Sequence, residues 1–252
     1  MGLFDKKFCS VCGSQIKLFG KVKLEDGNLC KECSAKLSPW FSERRSSTVE
    51  DIKGQLAYRE ANKAEAAKFN ITRSLGTDMK LLLDEDAGKF AVTRARNLAE
   101  ANPDILDFSQ VTGCQLEINE DRDEAKTKDR EGKPVSYNPP RYTYSYDFNM
   151  VINVNHPYFD SIEFRLNPSR VELTPDPVPA ARMPNPKMNP EYQEYERMGN
   201  EIKKLLTSVR QQVRDEAKAA AEPKVAVTCP GCGASTIPDA NNCCEYCGSA
   251  LS

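Results

Sequence analysis

Residues 142–154 read YTYSYDFNMVINV, and their alternating polarity decides the fold class of this chain. Every even-numbered position is aromatic or aliphatic, and the odd-numbered positions are mostly polar. An amphipathic helix would repeat its apolar positions every three or four residues, so a period of two predicts a long antiparallel strand with one buried face. Similar runs at 79–83, 114–118 and 162–166 predict further strands of the same domain.

The composition of the 252-residue chain changes on both sides of this β domain. Cysteine pairs lie near both ends, and segments rich in Ala, Glu and Lys flank the strands. The sequence therefore predicts a multi-domain α+β protein whose middle domain is a small antiparallel barrel or sandwich. The predicted parts are a four-cysteine module at 1–41, a spacer helix at 42–69, the β domain at 70–174, a proline-rich linker at 175–190, an amphipathic helix at 191–222 and a second four-cysteine module at 223–252.

Three segments are interpreted as connectors. The helix at 42–69 has only a thin apolar stripe, so we expect it to be a solvated spacer. Residues 120–141 are highly charged and end in Asn-Pro-Pro-Arg, which favours a long hairpin loop. Residues 175–190 contain six prolines, which predicts a semi-rigid extended linker of up to roughly 50 Å.

The helix at 191–222 carries an apolar seam with spacings of three and four residues. The seam residues are Tyr195, Met198, Ile202, Leu205 and Val209. It is too short for a typical coiled coil, so docking on the β domain is the favoured interpretation. A homodimer formed through 191–216 is the alternative.

Eight of the ten cysteines form two sets of paired Cys-x-x-Cys motifs. The sets are Cys9, Cys12, Cys30 and Cys33 near the start, and Cys229, Cys232, Cys244 and Cys247 near the end. Each pair makes a tight turn that points two sulfurs at one ion, and two such turns complete a tetrahedron. The spacing therefore predicts two structural Zn²⁺ ions per chain.

Other uses of these cysteines are weaker interpretations. Disulfides, a redox Cys-x-x-Cys motif and an iron–sulfur cluster each fit the spacing less well. Catalytic zinc keeps an open coordination position, which four thiolates do not leave. Cys243 is adjacent to Cys244 and could compete as a ligand, Cys114 is read as a core thiol, and the sole histidine, His156, as a turn residue. No catalytic residues are predicted, and the protein is not expected to be an enzyme.

Charge and hydropathy limit the expected cellular compartment and the expected class of binding partner. The formal net charge is −2, and the chain shows neither a signal peptide nor an apolar run long enough to span a bilayer, so a cytoplasmic protein is expected. With zinc bound, the first module has a net charge of about +1 and the second about −3. This balance favours protein partners. Nucleic acid bound through the lysines at 17–31 is disfavoured but open.

The order of parts resembles a family of uncharacterised bacterial and phage-associated proteins. In that family an N-terminal four-cysteine zinc domain precedes a bacterial pleckstrin-homology-like (PH-like) β domain, and a zinc ribbon can end the chain. The resemblance rests on the two cysteine sets, the strand–turn–strand at 79–93 and residues 105–118. It implies a PH-like fold and no established activity. A non-enzymatic adaptor that binds proteins is the leading hypothesis. A nucleic-acid-associated regulator and a lipid-binding peripheral membrane protein are the alternatives.

Overall fold

The computed structural model describes residues 7–17, 20–43, 45–221, 226–239 and 242–251. The chain divides into two compact units, Met1–Arg210 and Gln211–Ser252, because most spatial contacts between residues fall within one or the other. The protein is mixed α/β, and its paired strands are antiparallel wherever the structure describes them. The division into six parts made from the sequence stays a prediction.

The first four-cysteine module is built from two small hairpins and one helical turn. Its elements are β1 (Lys7–Phe8), β2 (Gln15–Ile16), β3 (Val22–Lys23), β4 (Asn28–Leu29) and α1 (Lys31–Ser34). Three of its cysteines share one buried cluster with Leu24, Leu29 and Phe41. This cluster also includes Ile52 and contacts Tyr158, so the core of the module extends into later parts of the chain.

Helix α2 (Val49–Lys68) is packed along one face, in contrast to the solvated spacer expected from its composition. Its N-terminus is fixed by a capping box between Thr48 and Asp51. The buried positions follow helical spacing and are Ile52, Gln55, Arg59, Asn62 and Ala66. Because polar side chains occupy most of this face, hydrophobic periodicity alone could not reveal it.

The middle of the chain forms two antiparallel sheets. The first has the order β5-β6-β7-β8, and the short helix α3 precedes its last strand. The second is centred on β10, which pairs with β9 along one side and with β11, β12 and β13 along the other. The elements are β5 (Arg73–Gly76), β6 (Lys80–Asp84), β7 (Lys89–Thr93), α3 (Leu98–Ala101), β8 (Leu106–Asp107), β9 (Val111–Lys128), β10 (Pro134–His156), β11 (Phe159–Arg165), β12 (Val171–Glu172) and β13 (Val178–Pro179).

The period-two pattern at 142–154 marks a buried face, as predicted. Even-numbered residues from Tyr144 to Val154 are buried, whereas the odd-numbered residues between them are half-buried. Phe148, Met150 and Ile152 are completely inaccessible to solvent. This face of β10 therefore forms the centre of the second sheet's core.

The charged segment 120–141 is not a loop but the outer part of the β9–β10 hairpin. The strands stay paired out to Lys128 and Pro134, with one irregularity between Ser136 and Arg141. Asp129 fixes the turn, because its carboxylate accepts hydrogen bonds from the backbone amides of Glu131 and Lys133. In a two-stranded ribbon the backbone groups between the strands pair with each other and the outward-facing groups bond to water, so no apolar face is needed to satisfy them.

The proline-rich segment also differs from its expected extended form. Within 175–190, β13 pairs with Arg141 and Tyr142 of β10, and two short 3-10 turns follow. Asn189 then donates its side-chain amide to the carbonyl of Glu172, at 3.1 Å. These contacts hold the segment along the sheet, so it returns the chain to the β domain.

Helix α4 (Pro190–Ala221) docks on the second sheet within the first unit. The ring of Tyr192 lies 5.0 Å from that of Phe148, and Ile202 and Leu206 are fully buried. At Gly199 an added Cβ would lie 2.6 Å from a terminal carbon of Leu116, so a larger residue would require the Leu116 side chain to move. The buried positions are therefore Tyr192, Tyr195, Gly199, Ile202 and Leu206, while Met198, Leu205 and Val209 of the predicted seam are half-buried.

The face of α4 that is buried leads to a prediction about two adjacent leucines. Leu206→Ala should lower the free energy of unfolding by about 2–5 kcal/mol, because it leaves a cavity under α4. Leu205→Ala should cost clearly less, since that side chain is only half-buried. Urea denaturation of the full chain measures both. A loss for Leu205→Ala as large as that for Leu206→Ala would contradict this docked face.

Candidate metal centres

The first cysteine cluster is assembled by the two hairpins and α1. Cys9 follows β1, and Cys30 is the N-cap of α1, which also contains Cys33. The amide of Cys30 donates to Sγ of Cys9 at 3.4 Å, and the amide of Cys33 donates to Sγ of Cys30 at 3.3 Å. Cys12 is exposed and the other three are buried. The four sulfurs lie within 4.8 Å of one another.

The second cluster uses one type of turn twice. The amide of Gly233 donates to the carbonyl of Cys229, and the amide of Gly248 to that of Cys244, both at 2.8 Å. Both glycines have φ of +74°, which other residues adopt with strain. Strands β14 (Val227–Thr228) and β15 (Ser235–Thr236) form the accompanying hairpin. The first module replaces its second turn by α1, which explains why no glycine follows Cys33.

The sulfur–sulfur distances fit a four-coordinate ion. Three of these Sγ–Sγ distances are 3.7 Å for Cys12–Cys30, 3.5 Å for Cys229–Cys247 and 3.7 Å for Cys232–Cys244. A tetrahedron with metal–sulfur bonds of about 2.3 Å has edges of about 3.8 Å. These distances exceed the ~2.05 Å of a disulfide. Each quartet can therefore hold one metal ion through four thiolates.

In each module one exposed cysteine has a serine two residues after it, namely Cys12 with Ser14 and Cys247 with Ser249. The side chain and then the backbone of Ser14 lower the pKa of Cys12 to about 6, and Ser249 does the same for Cys247. Burial instead raises the pKa of Cys33. A bound ion must displace protons from the buried thiols, so metal affinity rises with pH.

The other sequence candidates do not belong to either quartet. The second quartet is completed by Cys244, and Cys243 forms a β-bridge with Ala250. Cys114 is buried on β9, and burial raises its pKa to about 12. The ring of His156 stacks on Phe159 with centroids 4.1 Å apart and meets Tyr58 edge-on.

The packing of His156 predicts a pH dependence of stability. Burial lowers its pKa in the folded protein, and the nearby Asp104 only partly opposes this. As the pH falls below about 6.5, the unfolded chain takes up a proton before the folded chain does. The free energy of unfolding should therefore decrease below that pH until the folded pKa is passed. The imidazole resonances, from a single histidine, should titrate below about pH 6.5, and a higher midpoint would contradict the prediction.

A buried polar network joins the first module, α2 and the loop before β8. Arg59 donates to Oδ1 of Asp104 at 2.8 Å, and Ser38 donates to Oδ2 at the same distance. Asn62 donates to Oδ1 of Asn102 at 2.7 Å and accepts from the amide of Ile105. Ser38 lies five residues after Cys33. The network thus connects the first module to the β domain by hydrogen bonds. No sequence motif predicted it.

Comparison with known protein families gives a match at the start of the chain. Residues 7–55 match a family model described as a domain of unknown function (DUF4428). The match includes the first quartet and ends within α2, whose first residue, Val49, donates its amide to Asp26 at 2.7 Å. No curated protein and no solved structure matches the chain. None of the described helices has the length and apolar character needed to cross a membrane.

Proposed function

We propose that the protein is a non-enzymatic adaptor of the cytoplasm, with two Zn²⁺ ions that hold its metal modules in shape. The donor sets support zinc, because four soft thiolates at tetrahedral spacing are typical of structural zinc sites. Four protein ligands leave no open position for a water or a substrate. Each ion would therefore act structurally, by stabilising the fold of a module whose surface binds another protein.

The proposal includes a PH-like fold for the middle of the chain. A four-stranded antiparallel sheet is followed by the β9–β10–β11 strands and then by a helix that covers the second sheet. This order of elements supports the PH-like resemblance. Such a body would serve as the rigid base of the adaptor.

The observation that carries the adaptor function is the surface of the second module. This module belongs to a separate compact unit. Its Tyr246 is 71% exposed and its Ile237 is 53% exposed. An exposed aromatic side chain supports a protein-binding surface here, because aromatic residues are enriched at protein interfaces.

The experiment compares the proteins that co-purify with the full chain before and after Ile237→Ser/Tyr246→Ser. The double variant should lose specific partners while keeping its metal, because neither side chain is a ligand. Met188→Ser is the control, since Met188 is 77% exposed but lies in the first unit. If both variants retain the same partners, the proposed surface is wrong.

Metal analysis tests the zinc assignment independently. The purified chain should contain two zinc ions, and Cys12→Ser and Cys232→Ser should each remove one. Cys243→Ser should retain both, because Cys244 completes the second quartet. A single zinc ion in the unmodified chain, or a loss of zinc in Cys243→Ser, would contradict the assignment.

A further inference from the structure

The outer part of β9 leaves one edge of the second sheet open. Among the described residues β9 pairs with β10 alone, so the backbone groups along its other side have no strand partner. Residues 119–128 are exposed or half-buried. An open edge of this kind is a template for pairing with another strand. Which strand fits it depends on the side chains along the edge.

Charges of alternating sign lie along one face of this edge. Side chains alternate between the two faces of a strand, so even-numbered positions share a face. From 120 to 126 these positions are all exposed, and they are Glu120, Arg122, Glu124 and Lys126. The residues opposite them on β10 are uncharged, namely Tyr146, Tyr144, Tyr142 and Ser136. Within the described ranges none of the four charges forms an ion pair, so the sheet itself supplies them with no counter-charge.

Two of the four charges are held in position by tyrosines of β10. The hydroxyl of Tyr146 donates to Glu120 at 2.6 Å. The guanidinium of Arg122 lies over the ring of Tyr142, with its central carbon 4.3 Å from the ring centroid. The second carboxylate oxygen of Glu120 and the N–H donors of Arg122 remain available for further bonds. Both charges can therefore pair across the edge with little loss of side-chain freedom.

The order Glu-Arg-Glu-Lys is complementary to itself in one antiparallel register. A two-fold axis at Asp123 would place Glu120 of each copy opposite Lys126 of the other. The same axis would place Arg122 opposite Glu124, so that four opposite-charge pairs form across the interface. Moving the axis to Arg122 or to Glu124 would instead set like charges opposite each other.

The charges on this edge differ from those that prevent edge pairing in many sheets. A row of lysines repels a second copy of itself. Here the sign alternates, so the repulsion is confined to the two Asp123 side chains that meet on the axis. The pattern therefore favours a second copy of this chain over a foreign strand of arbitrary charge.

We propose that the protein forms a two-fold dimer in which the outer β9 strands of two copies pair antiparallel about Asp123. Pairing of this length buries less surface than the ~1,600 Å² of a standard interface, so we expect a dissociation constant on the order of 10–100 µM. The dimer uses neither the helix seam at 191–216 nor the surface of the second module. It goes beyond the adaptor function, because it would give one assembly two copies of each binding surface.

The test is sedimentation velocity of the full chain from about 5 to 500 µM, which should show a monomer–dimer equilibrium. Glu120→Lys/Glu124→Lys, the positive variant, and Arg122→Glu/Lys126→Glu, the negative variant, each give this face a single sign. Each variant alone should dimerise at least about tenfold more weakly, because like charges then lie opposite each other. An equimolar mixture of the two should recover the dimer, since their faces are complementary. Recovery also shows that both variants are folded.

The matched control is Lys203→Glu/Lys204→Glu on α4. Both lysines are exposed, and the change in net charge equals that of the negative variant. At about 150 mM salt this control should dimerise within about twofold of the unmodified chain, because distant charges are screened. It should also bind the positive variant more weakly than the negative variant does, which separates pairing of the strands from general charge attraction.

A gain of affinity is expected from one further substitution. Asp123→Asn removes the like charges that meet on the axis, so it should tighten the dimer about two- to fivefold. Misfolding cannot produce this gain.

Three results would overturn the proposal. The first is a full chain that stays monomeric at about 500 µM. The second is a dimer that both the positive and the negative variant retain unchanged. The third is a mixture of the two variants that dimerises no more tightly than either alone. Loss of the dimer in each variant and its recovery in the mixture support the proposal.

Discussion

The substitution Cys12→Ser should unfold the first metal module and also destabilise the sheets of the first unit, by at least about 3 kcal/mol. Structural zinc contributes about 10–16 kcal/mol to the folding of small modules, and this one shares its core with α2 and Tyr158. Loss of the module also removes Ser38 from Asp104. The damage therefore extends beyond residues 7–41.

The sole tryptophan makes this effect measurable. Trp40 lines the same surface depression as Arg94 and Phe164 of the β domain, so its fluorescence reports on the junction. Guanidinium denaturation followed by Trp40, with hydrogen exchange of the β6 amides, should show the loss in Cys12→Ser. Cys232→Ser is the control, because its quartet lies in the other unit. Retained protection of β6 in Cys12→Ser would show that the module folds independently.

Asp104→Ala should be the most damaging change of a single acidic residue, at about 3–5 kcal/mol. The Asp104 side chain is completely buried, and its removal leaves the Arg59 guanidinium without its counter-charge. The free energy of unfolding falls because the Arg59 guanidinium is left buried and unpaired. Replacing both partners, in Arg59→Met/Asp104→Leu, should therefore recover much of the stability. Chemical denaturation of the three chains tests this.

An exposed ion pair provides the control for Asp104. Asp78 and Arg94 are paired at 3.4 Å, and their side chains are 49% and 68% exposed. Asp78→Ala should cost no more than about 1 kcal/mol. A similar cost for Asp78→Ala and Asp104→Ala would mean that the buried pair does not anchor the module to the β domain.

Features that depend on local spacing were predictable from the sequence. Alternation at 142–154 fixed the central strand and its buried face, because a strand's side chains alternate whatever surrounds it. Cys-x-x-Cys spacing likewise predicted which sulfurs come together, since each pair is one turn. Both signals need only a few neighbouring residues.

Features that depend on distant contacts were not predictable. The buried face of α2 is largely polar, and its partners include Asn102 and Asp104, more than forty residues away. The docked face of α4 includes Gly199, which lies close to Leu116, and a search for apolar residues does not mark a glycine. In the outer β9–β10 ribbon the β9 strand is highly charged and the β10 strand, PVSYNPP at 134–140, is interrupted by prolines, so neither carried a hydrophobic period.

The cover that α4 supplies to β10 has a consequence during synthesis. Phe148 and Met150 leave the ribosome well before Leu206, which is 56 residues beyond Met150. At about 5–20 residues per second, the apolar face of the sheet stays uncovered for roughly 3–11 s. During that interval the nascent chain presents a row of aromatic and aliphatic side chains to its surroundings. A chaperone that shields such surfaces would therefore be needed most just before α4 emerges.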